Sequence, residues 1–415
     1  MTTSVAGETG ARPQQPEPER TPSLGQRLQR GNIGVLPVLL GLVLIAVIFQ
    51  LLNDNFLTPL NLTNLMVQIA AVGTIAVGVT LVLLLGEIDL SVGSVSGLSA
   101  AIMAVLATRQ DVPAALAILA AVLTGTAIGL FQGTWFAKLG VPAFIVTLAG
   151  LLAWQGAQLR VLGPTGTINL TDSLITGIAN YRLPIAAGWA LGVIFAAAWA
   201  VSAFRSRRQR LTRGLPAPSA AGLIAQIVVI TIAVLAVVGI MSVNRSANPS
   251  TTVRGVPLGV LILVGFVVVF DLITRRTRFG RYIFAVGGNI EAARRAGINV
   301  DRIRIAVYAL ASTMAACGGI LAASRLYAVN QASGSGDLLL NSIAAAVIGG
   351  TSLFGGRGNV WYALIGALII GSISNGMDLL GLSAAIKFMV TGGVLLLAVT
   401  IDAVARRSRA AAGRA

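Results

Sequence analysis

The chemistry open to this chain is bounded first by what it lacks. Its 415 residues include no histidine and one cysteine, Cys317, inside an apolar run. A histidine-assisted nucleophile, a His/Cys zinc site and an intrachain disulfide are therefore excluded, and Cys317 reads as a small buried hydrophobe. The two lysines, Lys138 and Lys387, follow Ala137 and Ile386. The Gly-Lys-Ser/Thr of a nucleotide-cradling loop is thus absent, and no metal site is expected. The carboxylates in distinctive settings are Glu87 and Asp89, within Gly86-Glu-Ile-Asp-Leu-Ser-Val-Gly93, and Glu291, within Gly287-Gly-Asn-Ile-Glu-Ala-Ala-Arg-Arg-Ala-Gly297.

The second string predicts its own local structure. Asn289, after Gly287 and Gly288, is placed to cap a helix, and Glu291 falls in the first turn, where the helix dipole favours a carboxylate. Gly297 is a natural stop. Ile290 to Ala296 should form a short, bounded helix, with Ala292 and Ala293 small enough to nest in a partner's groove.

The elements that hold these strings are set by composition. The chain is 56% hydrophobic and 11% charged, under half the charge of a typical soluble domain. Apolar runs occur near 33–52, 62–85, 92–107, 113–136, 141–159, 183–204, 220–243, 257–273, 305–323, 339–354, 360–377 and 383–401. Most can cross about 30 Å of hydrocarbon. The fold class is an all-α polytopic bundle of about twelve spans, with ten to fourteen allowed. The stretches 92–107 and 339–354 are the candidates for re-entrant half-helices, which need surrounding protein or a cavity.

The net charge of +16 points to topology rather than to nucleic acid. With the polar segment 1–30 inside the cell, the inner side holds four arginines in that tail, Lys138, five arginines at 205–213, eight at 275–304, Arg357 and four beyond 405. The outer side holds Arg109, Arg160, Arg182, Arg245, Arg254 and Arg325. This asymmetry puts both termini in the cytoplasm. Residues 1–30 read as a disordered tail and not as a signal peptide. Residues 31–405 form the membrane domain, with a cytoplasmic loop at 274–304, and 406–415 form a basic tail. A faint echo relates Gly86–Gly93 to Gly349–Gly356.

The string Gly287-Gly-Asn-Ile-Glu-Ala-Ala-Arg-Arg-Ala-Gly-Ile-Asn-Val300 resembles the coupling loop of the permease subunits of ATP-driven importers, specifically the ribose- and xylose-type sugar permeases. Asn55–Leu65, Gly86–Ser94, Val141–Leu148 and Val394–Asp402 resemble further family strings, so the likeness spans most of 50–410. The middle, 183–243, looks more like the xylose type. The resemblance implies a pentose permease with no cofactor of its own. ATP would be used by a separate ATPase subunit. The ATPase would be touched by Gly287, Gly288, Asn289, Glu291, Ala292, Ala293, Arg294 and Gly297. Other implied partners are an extracytoplasmic sugar-binding protein, a second permease copy and membrane lipid, in the bacterial inner membrane.

Two roles are open to the Gly86, Glu87, Asp89, Ser91 and Gly93 motif. It could tie down a bent segment at the inner gate or line the solute path. A carboxylate at mid-bilayer costs about 2.5–3.5 kcal/mol, and a neutral sugar needs no charge, so the gating role is the expectation. Candidates to line the path are Gln68, Trp154, Gln155 and Asn375, with Trp135 and Ser374 beside them. Asp378 and Lys387 stand out by location alone. The competing functions are a gradient-driven carrier, an intramembrane enzyme, and an importer of an amino acid or nucleoside.

Overall fold

The computed structural model describes residues 36–411 except 247 and 249. The tail expected over 1–30 and the last four residues of the basic tail lie outside the described residues. The described chain forms α1 (Leu36–Leu52), α2 (Pro59–Leu84), α3 (Val92–Arg109), α4 (Ala114–Leu139), α5 (Ala143–Leu162), β1 (Thr167–Asn169), α6 (Ser173–Asn180), α7 (Ile185–Thr212), α8 (Ala220–Ser242) and α9 (Leu258–Arg276). It continues through α10 (Arg278–Gly288), α11 (Ile290–Arg295), α12 (Val300–Leu326), β2 (Ala328–Asn330), α13 (Asp337–Ile348), α14 (Val360–Leu379) and α15 (Ala384–Ala411). A helix stands at each of the twelve apolar runs. Among the described residues nine are long and apolar enough to cross a membrane, and 40–52, 337–348 and 384–397 are shorter apolar helices.

Of the two stretches flagged as re-entrant, 92–107 is a full helix of 18 residues. The other is cut short: α13 has 12 residues, about 18 Å at 1.5 Å per residue, too little to span. It ends where Gly349 and Gly350 begin a non-helical connector to Asn359. The carboxy-terminal helix runs on through 406–411, which the sequence assigned to a tail.

Side-chain caps fix several helix starts. The Thr58 hydroxyl accepts from Asn61 N (3.4 Å) ahead of Pro59. Asp172 caps α6, and Asn299 accepts from Arg302 N (3.0 Å) at the start of α12. The centre of the bundle is α2, with 83% of its most apolar stretch buried, together with α3 and α12. The α7–α8 hairpin is peripheral, at 17% and 11%. Gly125, Gly129 and Gly133, one turn apart on α4, face α12. A Cβ on Gly129 would stand 2.4 Å from the Tyr308 carbonyl oxygen. Only a missing side chain lets these backbones meet, which is how membrane helices gain packing where water gives no hydrophobic drive.

The connectors gather in two sets at opposite ends. One end joins 163–184, 243–257 and 327–330: β1 pairs antiparallel with β2, and Arg182 bridges to Pro257, while 331–336 turns back into the bundle to meet the start of α3. The other joins 85–91, 277–299 and 349–359. Because it carries the arginines of 275–304, it is called the basic end. This β pair, α6 and α10 lie outside the all-α span reading, being too short or too non-local for apolar periodicity to reveal.

Candidate functional site

At the basic end, α10 and α11 form a surface elbow. α10 starts on Thr277, whose hydroxyl accepts from Gly280 N (3.0 Å), and buries Ile283 and Val286. Asn289, extended at φ −161°, ends α10 and caps α11, its Oδ1 accepting from Ala292 N at 2.9 Å. Gly297 adopts φ +78°, a left-handed conformation that costs a side chain dearly. Its N–H donates to Arg294 O (2.9 Å), and Ile298 N donates to Ala293 O (3.1 Å), closing the carboxy-terminal turn. The helix stands on Ala293, which is 3% exposed, and presents Glu291, Ala292, Arg294 and Arg295 outward. Glu291 and Arg294 pair at 3.3 Å, both well exposed. Such a pair adds about 0–1 kcal/mol, so the two side chains are available to another surface.

The connector 85–91 lies beneath this elbow. Gly86 has φ +81°. Glu87 pairs with Arg304 at 3.5 Å, both mostly buried. Burial raises the Glu87 carboxyl above the usual range, against the opposing pull of Arg304. The Arg304 guanidinium also lies over the Phe136 ring, 4.4 Å from its centre, a cation–π contact.

Asp89 is 2% exposed. Its Oδ1 accepts from Ser91 N (2.8 Å) and Ser91 Oγ (2.6 Å), just ahead of α3, where the helix dipole favours a negative charge. Ser91 Oγ also lies 3.0 Å from Gln132 Oε1. With the serine proton committed to Asp89, this contact is satisfied by turning the Gln132 amide. That presents Nε2, which otherwise has no partner among the described residues. Gly93, the second residue of α3, faces Gly334, and its Cβ would stand 2.4 Å from the Gly334 carbonyl oxygen. The two echoed strings meet in space: Phe354 O, Phe354 C and Gly355 Cα are the nearest atoms to a Cβ on Gly86.

The neutral candidates do not converge. Asn375 is buried on α14 and exchanges side-chain bonds with Asn61 (2.7 and 3.0 Å). Its side-chain amide joins α14 to α2. Trp154 and Trp135 wall an open groove of about 390 Å³ between α4 and α5, with Phe131, Ile145 and Gly150. Gln68 and Gln155 are half-buried on α2 and α5, away from that groove. Lys387 pairs with Asp378. Sequence reading missed two buried amides. Gln132 sits between glycines in Gly129-Leu-Phe-Gln-Gly133, and Gln158 donates to Asn330 O (3.0 Å) and Ser333 O (2.9 Å). Their signal was a polar side chain on the glycine-lined or loop-facing side of an apolar helix.

Among the described residues no three metal-ligating side chains cluster. The chain matches the family described as branched-chain amino acid transport system / permease component over residues 61–399, and it belongs to that family. It is 36% identical to the xylose transport system permease protein of Escherichia coli (strain K12), over 91% of this chain and 93% of that one. It is 34% identical to the Haemophilus influenzae xylose transport system permease protein, over 91% and 98%. It is 33% identical to the Escherichia coli (strain K12) ribose import permease protein, over 87% and 91%. No solved structure matches it. The chain is thus a transport permease subunit rather than an enzyme.

Proposed function

We propose that this chain forms the membrane path by which an ATP-driven importer admits a pentose, xylose first among them. The observation that carries the reading is the α10–α11 elbow. It is an exposed helix, capped at both ends and seated on Ala293, whose neighbours on either side reach the connectors of the bundle. Such a helix suits docking to a separate ATPase subunit through Gly288, Asn289, Glu291, Ala292 and Arg294, with Gly297 setting its end. The basic end is then cytoplasmic, as its arginines favour, and both termini lie on that side. A binding protein delivers sugar at the opposite end, and a second copy completes the path. Trp154, which walls the α4–α5 groove, is proposed to face that path, with Gln155 and Gln68 reaching it outside that groove. The choice of pentose rests on the relatives; the permease mechanism rests on the elbow. ATP binding between ATPase subunits shifts the balance between outward- and inward-open states, a two-state element biased by differential affinity.

The test is transport by the reconstituted complex. Glu291→Ala and Gly297→Leu should insert normally and lose most ATP-driven uptake; full uptake in both would overturn the docking assignment. Competition by xylose, ribose and leucine in the same vesicles separates a pentose path from the amino-acid path named by the family description.

A further inference from the structure

The proposed docking helix has to act on the path through something. We propose that Gly287 and the Glu87–Arg304 pair are the positioning residues through which it moves the connector 85–91, an inference that rests on the ATPase docking at α11.

The first contact is steric. Gly287 precedes the Asn289 cap by two residues, and its backbone lies on the end of α2. A Cβ there would stand 1.8 Å from Leu84 O and 2.8 Å from Gly356 N. Those two atoms are themselves hydrogen-bonded at 2.9 Å. Three chain segments, the elbow, the end of α2 and the 349–359 connector, therefore meet backbone to backbone with no side chain between them to yield. The next residue, Gly288, also lies close to Gly356 by its backbone but has nothing within 4 Å of its own Cβ position, so a side chain is excluded at 287 and not at 288.

The second contact is ionic and comes from the other side of α11. Arg304, one turn into α12, holds Glu87 at 3.5 Å. The end of α2 is thus held before the docking helix, and the connector that follows it is held after that helix. Two residues beyond Glu87, Asp89 holds the start of α3 through Ser91. α3 in turn packs at Gly93 against the 331–336 turn that leads into α13. The 349–359 connector, touched by Gly287, leaves the other end of α13. A shift of α11 is carried to both breaks in the bundle by contacts with little slack.

The readout is sugar carried per ATP hydrolysed, in proteoliposomes holding the full complex with the proton and sodium gradients collapsed. Glu87→Arg and Arg304→Glu should each lower that ratio fivefold or more while the ATPase still co-purifies. The double exchange Glu87→Arg/Arg304→Glu should restore it to within twofold. Gly287→Ala should lower the ratio, and Gly265→Ala, on an open face of α9 with nothing within 4 Å, should not. If a charge-reversed single variant does not insert, Glu87→Gln and Arg304→Gln take its place. Ratios within twofold of wild type in the single variants, or no recovery in the double exchange, would overturn the proposal. Wild-type complex that carries no sugar on ATP would instead overturn the docking reading beneath it.

Discussion

At Asp89 a capping role and an ion-carrying role make opposite demands. The carboxylate is nearly fully buried and accepts two bonds from Ser91 through one oxygen, at 2.8 and 2.6 Å. Asp89→Ala deletes that acceptor. Each bond to a charged group contributes about 1.5–3 kcal/mol, so the gross loss is about 3–6 kcal/mol. Removing a buried charge returns part of it, since desolvating an ion costs several kcal/mol. The net destabilisation should be about 1–3 kcal/mol, accompanied by fraying of the first turn of α3. Asp89→Asn keeps an oxygen in place for both Ser91 donors and removes the charge, so its net effect should be within about 1 kcal/mol of wild type. The assay is thermal unfolding in detergent paired with uptake in vesicles. A capping aspartate gives Asn close to wild type in both and Ala impaired in both. A proton- or ion-carrying aspartate needs an ionisable group, so Asn would abolish uptake as fully as Ala. That result, in a stable Asn variant, would refute the capping assignment and revive a gradient-driven mechanism.

The other expectations follow from packing. Gly129→Leu forces a side chain against the Tyr308 carbonyl and should cost about 3 kcal/mol or prevent folding. Gly265→Leu, with open space around it, should stay within about 0.5 kcal/mol; equal losses at the two sites would contradict the close approach of α4 and α12. Asn375→Leu strands the Asn61 carbonyl and should cost about 1–3 kcal/mol, with the Asn61→Leu/Asn375→Leu double variant losing less than the sum and the sugar KM unchanged. A raised KM with normal stability would instead place Asn375 on the solute path.

Much of the bundle was legible because a bilayer demands long apolar runs, and those runs are visible one at a time. The 339–354 run could be flagged as a half-helix but not bounded, because Ile348-Gly-Gly-Thr-Ser-Leu-Phe is apolar enough to extend a span by composition, while Gly350 at φ +116° breaks it. Asn289, Glu291 and Gly297 could be read because caps and stops are local. Asn375 could not, since its partner Asn61 lies 314 positions away. The same distance problem hid the Glu87–Arg304 pair. The echo between Gly86–Gly93 and Gly349–Gly356 carried little as a repeat, yet the two segments lie against each other. Gln132 and Gln158 were passed over because the face that each presents shows only against its neighbours: Gly129 and Gly133 for Gln132, and Asn330 and Ser333, 172 and 175 positions away, for Gln158.

The central claim is that an ATPase outside this chain drives sugar through it. The direct measurement is pentose uptake into proteoliposomes containing this permease, its ATPase and its binding protein, with ionophores abolishing the proton and sodium gradients. Uptake that continues at the full rate with ATP and stops without it is the expected result. Uptake that persists without ATP and collapses with the gradients would contradict it.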